Sequence, residues 1–270
     1  MDLFITIPTP LLLTLVGIIS LCWGSFLACI SFRIAFDKPV LTKRSHCPSC
    51  NNVIAWYDNI PLLSWFILKG SCRNCYSLIS VIYPFIELIT AICMTTLFYK
   101  TFSSSLVTPN LIATFLLNTI LFSALIGSTA TDLFDMVIPQ VFSVWLVPLG
   151  VLGAYSGLLG IDYVSSMLGA IFGYGFLKLI ASIFKKYTDH EGMGVGDMEL
   201  LCLIGAFTGL QGCWITLLLA SVGGLIIGGA FLHLAGKSRK AHIPFGPFLA
   251  MGAIIYVLFT KELTQLLLFR

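Results

Sequence analysis

Asp132 and Asp197 are carboxylates placed at the margins of apolar segments, in the stretches TATDLFDMVIP and GMGVGD. Ionisable groups at the edge of lipid are costly and tend to be kept for function. Two carboxylates are also the minimum kit for acid–base hydrolysis, because different surroundings can hold one protonated and the other ionised. Cys47, Cys50, Cys72 and Cys75 form a second constellation, CPSC and CRNC, with 21 residues between the pairs. Two C-x2-C knuckles at this separation suit tetrahedral thiolate coordination of Zn²⁺. Four protein ligands leave no open position, so such a metal would fold the loop and not catalyse. The other reading of these cysteines is a pair of disulfides. His46, beside Cys47, is a spare candidate ligand. Cys22, Cys29, Cys93, Cys202 and Cys213 are scattered through apolar stretches and read as packing residues.

The elements that must position these groups are apolar. Of 270 residues, 58% are hydrophobic and only 10% charged, against about 25% charged in soluble domains. The sequence therefore predicts an all-α polytopic membrane protein, organised by the bilayer and not by one water-shielded core. A net charge of +3 is too small to argue for nucleic acid as a partner.

Apolar segments near the spanning length of about 20 residues occur at 11–31, 79–99, 110–131, 137–157, 163–184 and 245–267. The run 198–236 is 39 residues long, long enough for two crossings with a tight turn at 208–212. That makes about eight transmembrane helices. Basic residues cluster at Arg33, Lys38, Lys43, Arg44, Lys69 and Arg73, at Lys185 and Lys186, and at Lys237, Arg239 and Lys240. The positive-inside rule assigns all three clusters to the cytoplasm, and two cytoplasmic loops flanking 198–236 require an even number of crossings between them. Both termini then face outward, and the cysteine loop lies in a reducing compartment, where disulfides are disfavoured.

The same count places Asp132 at the cytoplasmic end of the third span and Asp197 at the cytoplasmic start of the sixth, at one depth on one face. The expected organisation is a first transmembrane helix over 1–31, a cytoplasmic zinc-ribbon-like loop domain over 32–78, and a transmembrane core over 79–270 holding spans two to eight. The loop is too short to bury a core without metal. Its aromatics Trp56, Tyr57, Trp65 and Phe66 either pack on the ribbon or rest in the membrane interface. The first run has no basic n-region and reads as an uncleaved span, the alternative being cleavage near Ala28.

Plainer roles compete for the carboxylates. Asp132 can be a solvated helix end, and Asp135 can cap a helix beginning near Met136. Asp189 and Glu191 read as solvated loop residues. Asp197 is harder to explain in this way. Gly192, Gly194 and Gly196 precede it and permit close backbone approach, and it then opens a helix whose N-terminus favours negative charge. A transporter relaying protons or cations through the two aspartates is the rival class; it predicts carboxylates near the bilayer midplane and a repeat between halves, and no repeat is visible. Gly223, Gly224, Gly228 and Gly229 are expected to let spans approach closely.

The chain resembles the bacterial type IV prepilin peptidases, the leader peptidase/N-methyltransferases of the inner membrane. The resemblance rests on GSFLACISFR at 24–33, RSHCPSC at 44–50, DNIPLLSW at 58–65, KGSCRNC at 69–75, YPFIEL at 83–88, TDLFDMVIP at 131–139 and GMGVGDMELLCLIGAFTG at 192–209. It implies an aspartic endopeptidase of the GxGD type that cuts type IV prepilins or pseudopilins after a glycine, on the cytoplasmic side. Asp132 and Asp197 are the implied catalytic pair, and Cys47, Cys50, Cys72 and Cys75 the implied zinc ligands. It further implies methylation of the new N-terminal residue with S-adenosylmethionine as donor, although no strand–glycine–helix nucleotide fingerprint is visible. The chain departs from the family pattern at Ala28, commonly asparagine, at Ile82, commonly arginine, and at Glu199, commonly lysine. Glu199 adds a third carboxylate near Asp197 and is an expected source of like-charge repulsion.

Overall fold

The computed structural model describes residues 10–40, 44–103, 107–188, 193–230 and 244–268. Expectations resting on Lys43, Asp189, Glu191, Gly192, Lys237, Arg239, Lys240 and Arg270 lie outside those residues. The described elements are helical, with only two isolated β-bridges, His46–Val53 and Ser71–Leu78. Two compact units form: Met1–Val107 with Leu133–Asp135, and Thr108–Asp132 with Met136–Arg270.

In the first unit, α1 (Pro10–Ala35) packs against α3 (Ile82–Phe102), with the cysteine loop and the short α2 (Leu63–Ile67) between them in sequence. Gly24 sets the approach of α1 to α3. A Cβ there would lie 2.9 Å from both Glu87 Cα and Thr90 Cβ, so only glycine lets the helices meet at this level.

The second unit begins with α4 (Pro109–Asp135), whose part up to Asp132 belongs here. The Thr108 hydroxyl accepts from Leu111 N at 3.2 Å and Pro109 opens the first turn, a paired start signal. Met136 in the left-handed region, φ 53°, ends the helix. Asp135, expected to cap a helix starting near Met136, is instead the last residue of α4. The segment expected to span at 137–157 consists of two 3-10 turns, Gln140–Phe142 and Val144–Leu146, followed by α5 (Val147–Tyr155).

Then come α6 (Tyr163–Thr188), α7 (Val195–Gly223) with a π-helical turn at Gly224–Gly228, α8 (Gly246–Leu258) and α9 (Thr260–Leu268). The helical run of α7 breaks at Gly209, φ 72° and ψ −179°. Cys213 Sγ lies 3.9 Å from Leu201 O, 12 residues back, whereas a straight helix would separate those positions by about 18 Å. α7 is thus a helical hairpin, its arms 195–208 and 210–223. The turn is held by Ser165, whose hydroxyl accepts from Leu210 N at 3.3 Å.

Glycine again governs the packing. The Cβ of an alanine at Gly169 would lie 2.5 Å from Gly205 O, one at Gly173 2.5 Å from Leu201 O, and one at Gly252 2.8 Å from Thr216 O. Backbone-to-backbone contact of this kind binds α6 and α8 to the hairpin. The glycines singled out by sequence do less. A Cβ at Gly223 would meet Met251 at 3.0 Å, and one at Gly229 would meet nothing within 4 Å. Among the described residues, five helices are long and apolar enough to cross a membrane, or six if the pair α8 and α9, bent by 96°, counts as one span.

Candidate active site and thiolate cluster

Asp132 lies in the last turn of α4 and is buried at 6% exposure. Its Oδ2 accepts the backbone N–H of Gly246 at 3.1 Å. Gly246 is the first residue of α8, with Pro247 next, so the carboxylate meets one of the free N–H groups at a helix N-terminus, where negative charge is favoured. Glycine is needed there because a Cβ would sit 2.7 Å from Asp132 Oδ2.

Asp197 is the third residue of α7, and its Oδ2 lies 3.7 Å from where a Cβ would sit on Gly194, the residue before the helix. Ile138 connects the two environments. Its Cβ would lie 2.7 Å from a Cβ at Gly196, and its Cδ1 3.0 Å from one at Gly246. A single branched side chain therefore fills the space that two glycines leave beside two aspartates. The glycines near Asp197 act through this close approach; neither Gly194 nor Gly196 has a positive φ.

The sequence motif pointed to both aspartates, but gave no reason to single out Gly246 or Ile138. The one available signal for Gly246 was its position ahead of Pro247 at the start of an apolar run. Glu199 does not crowd Asp197. It accepts from Gln140 Nε2 at 3.2 Å and Ser143 Oγ at 3.4 Å, because residues two apart on a helix point in different directions.

The four cysteines come together at the tips of two matching turns in the first unit. In the first, Cys47 N donates to Asn52 O, Asn51 N to Cys47 O and Ile54 N to Ser45 O. In the second, Cys72 N donates to Ser77 O, Tyr76 N to Cys72 O and Ile79 N to Gly70 O. Every partner is displaced by the same offset, so the second turn copies the first. Asn51 and Tyr76 occupy corresponding left-handed positions, φ 58° and 59°.

The four Sγ atoms lie within 4.8 Å of one another, with Cys47 and Cys75 at 3.7 Å. Zn–S bonds of about 2.3 Å in a tetrahedron put sulfurs about 3.8 Å apart, so the donor set fits such an ion. Burial pushes the Cys47 thiol up, but hydrogen bonds from the Cys50 backbone, Ser77 and Ser49 outweigh it and bring the group down to about 6. Cys50 goes the other way, to about 11: the Asn52 N–H favours its thiolate, while burial and the neighbouring thiols prevail against it. All nine cysteines are free. His46 stays outside the group, its Nδ1 3.3 Å from Arg44 O.

The loop's aromatics divide between the two expected roles. Trp65 donates to Ile79 O at 3.3 Å and its ring covers Gly70, while Trp56 is 76% exposed. Arg73 grips Asp58 through two hydrogen bonds of 2.8 and 2.6 Å, and these hold the Asp58 carboxyl below its usual range. Glu87 is buried on α3 and accepts Leu62 N at 2.8 Å. Leu62, at φ 59° and ψ −54°, is the centre of a tight turn closed by Leu63 N to Pro61 O at 2.6 Å, a rare and strained γ-turn conformation for a side-chain-bearing residue.

Comparison with known proteins places this arrangement. Residues 18–101 match the Bacterial Peptidase A24 N-terminal domain and residues 119–229 the Type IV leader peptidase family. A prepilin leader peptidase/N-methyltransferase of Aeromonas salmonicida is 37% identical over 231 residues, covering 84% of this chain and 75% of the relative. Proteins of the same name from Xanthomonas campestris and Pseudomonas aeruginosa are 31% and 33% identical, each over 84% of this chain and covering 76% and 75% of the relatives. No solved structure gives a significant match. The first matched region carries the thiolate quartet, the second both aspartates, and the chain belongs to the type IV leader peptidase family.

Proposed function

We propose that Asp132 and Asp197 are the catalytic pair of a membrane aspartic endopeptidase that removes the leader of type IV prepilins or pseudopilins. The observation that carries this reading is the packing of one side chain, Ile138, against both Gly246, whose N–H holds Asp132, and Gly196, the residue before Asp197. One aspartate, ionised, takes a proton from water as the water attacks the scissile carbonyl. Its protonated partner donates to the carbonyl oxygen and then helps protonate the leaving amine. Interacting carboxylates titrate as a pair, so the acid and base roles belong to the dyad.

The substrate fitting a membrane-edge site is amphiphilic, with a short polar leader and an apolar helix in the bilayer. The distribution of basic residues supports a site facing the cytoplasm of the inner membrane. Eight crossings are supported by counting α1, α3, α4 and α6, the two arms of the α7 hairpin, the bent pair α8–α9 and the helical stretch Gln140–Tyr155. On this reading 1–31 is the first span, 32–78 a cytoplasmic loop domain and 79–270 the peptidase core. Cys47, Cys50, Cys72 and Cys75 would hold Zn²⁺ as a structural ion. The relatives' name joins leader cleavage to N-methylation, and S-adenosylmethionine is the donor taken for this chain. Among the described residues no strand–glycine–helix cradle forms, so this chain's residues are matched to the hydrolytic half alone. No observation favours the ion-relay reading.

The test is cleavage of a pilin-like precursor by purified Asp132→Asn and Asp197→Asn proteins. Both should insert normally and release no leader. Retained cleavage in Asp197→Asn would remove that residue from the mechanism.

A further inference from the structure

Ser128 lies one helical turn before Asp132 on α4 and is fully buried, and its hydroxyl has no hydrogen-bond partner. Its neighbours on the helix behave differently. Thr119, Ser123, Thr129 and Thr131 each donate to a carbonyl of α4 itself, and Thr114 donates to Leu158 O. A buried hydroxyl left unpaired is costly, so its retention beside a functional carboxylate calls for a partner used during the reaction. Residues four apart share a helix face, and helical side chains lean toward the N-terminus. The Asp132 carboxylate therefore leans over the turn that carries Ser128. Its Oδ2 is held by Gly246, while Oδ1 has no hydrogen-bond partner among the described residues.

We propose that Ser128 is a positioning residue for the dyad, its hydroxyl turning onto Asp132 Oδ1 in the working enzyme. Two donors then grip the carboxylate from opposite sides, the Gly246 N–H and the Ser128 O–H. They fix the plane in which the carboxyl group faces the attacking water. No atom of substrate is bound by Ser128; it acts through Asp132. The inference rests on the reading of Asp132 as catalytic.

The experiment compares Ser128→Ala, Ser128→Thr and Asp132→Asn in full-length protein, measuring kcat and KM on a pilin-like precursor alongside thermal unfolding. Loss of a hydrogen bond to a charged group should lower kcat of Ser128→Ala about tenfold to a hundredfold, with KM changed less than about threefold. Ser128→Thr, which keeps the hydroxyl, should recover most of the rate. Because the hydroxyl is unpaired at rest, Ser128→Ala should melt at the same temperature as the parent or higher. An unchanged kcat in Ser128→Ala, or a loss of rate that tracks a lower melting temperature and is not recovered by threonine, overturns the inference. Inactive Asp132→Asn beside fully active Ser128→Ala sinks it alone, whereas active Asp132→Asn sinks the catalytic reading with it.

Discussion

Gly246 gives its backbone N–H to Asp132 Oδ2 at 3.1 Å across 114 residues of sequence. The bond ties the end of α4 to the start of α8, and it does so at a carboxylate that is both buried and at a helix end. Because a Cβ at Gly246 would lie 2.7 Å from Oδ2 and 3.0 Å from Ile138 Cδ1, Gly246→Ala should push the carboxylate aside. Leader cleavage is expected to fall by tenfold or more, the cost of misplacing a reacting group by a fraction of an ångström to an ångström, while membrane insertion is unchanged. Cleavage of a pilin-like precursor by purified protein measures it; a parental rate would mean that Asp132 tolerates displacement.

Gly196 and Ile138 form a matched pair. A Cβ at Gly196 would meet Ile138 Cβ at 2.7 Å, an atom that cannot move without the backbone. Gly196→Ala should therefore impair cleavage, and the double change Gly196→Ala with Ile138→Gly, which removes the clashing atom, should recover part of it. A double-mutant cycle reads the coupling. Additive losses would show that the two residues do not act through this contact.

Glu87 supports the strained turn at Leu62. Glu87→Ala would leave the half-buried Leu62 N–H without its acceptor, and the segment 57–66 should gain hydrogen exchange. Glu87→Gln keeps a carbonyl acceptor and should stay near parental protection. Equal exchange in all three proteins would remove Glu87 from this role.

Metal removal addresses the thiolate cluster. A strong chelator should make residues 44–79 sensitive to protease, since the loop has few other long-range ties. Stoichiometric zinc in the purified protein, lost in Cys72→Ser, is the expected result. Full protease resistance after chelation would show that the loop folds without metal.

The sequence made the two aspartates and the four cysteines legible because each depends on spacing within a few residues and on charge in an apolar setting. The turn at 208–212 was legible for a similar reason: a long apolar run interrupted by Gly209 must either overshoot the bilayer or fold back. What could not be read were contacts between residues distant in sequence. Gly246 looked like an ordinary helix start, and Ile138 like one more apolar residue after Asp135, because their roles exist only when α4, α7 and α8 are assembled. Glu199 was misjudged by counting residues along the chain, where helical geometry turns it toward Gln140 and Ser143. The stretch at 137–157 has the hydropathy of a span but is interrupted near Ser143, whose φ of −131° and ψ of −93° fit no regular helix.

The cysteine loop is a duplicated hairpin in which each copy contributes two sulfurs, so neither copy is a complete chelator. Each half depends on the other being held close, and the short connection supplies the effective local concentration that a shared ion requires. Damage to one turn should therefore disarm both.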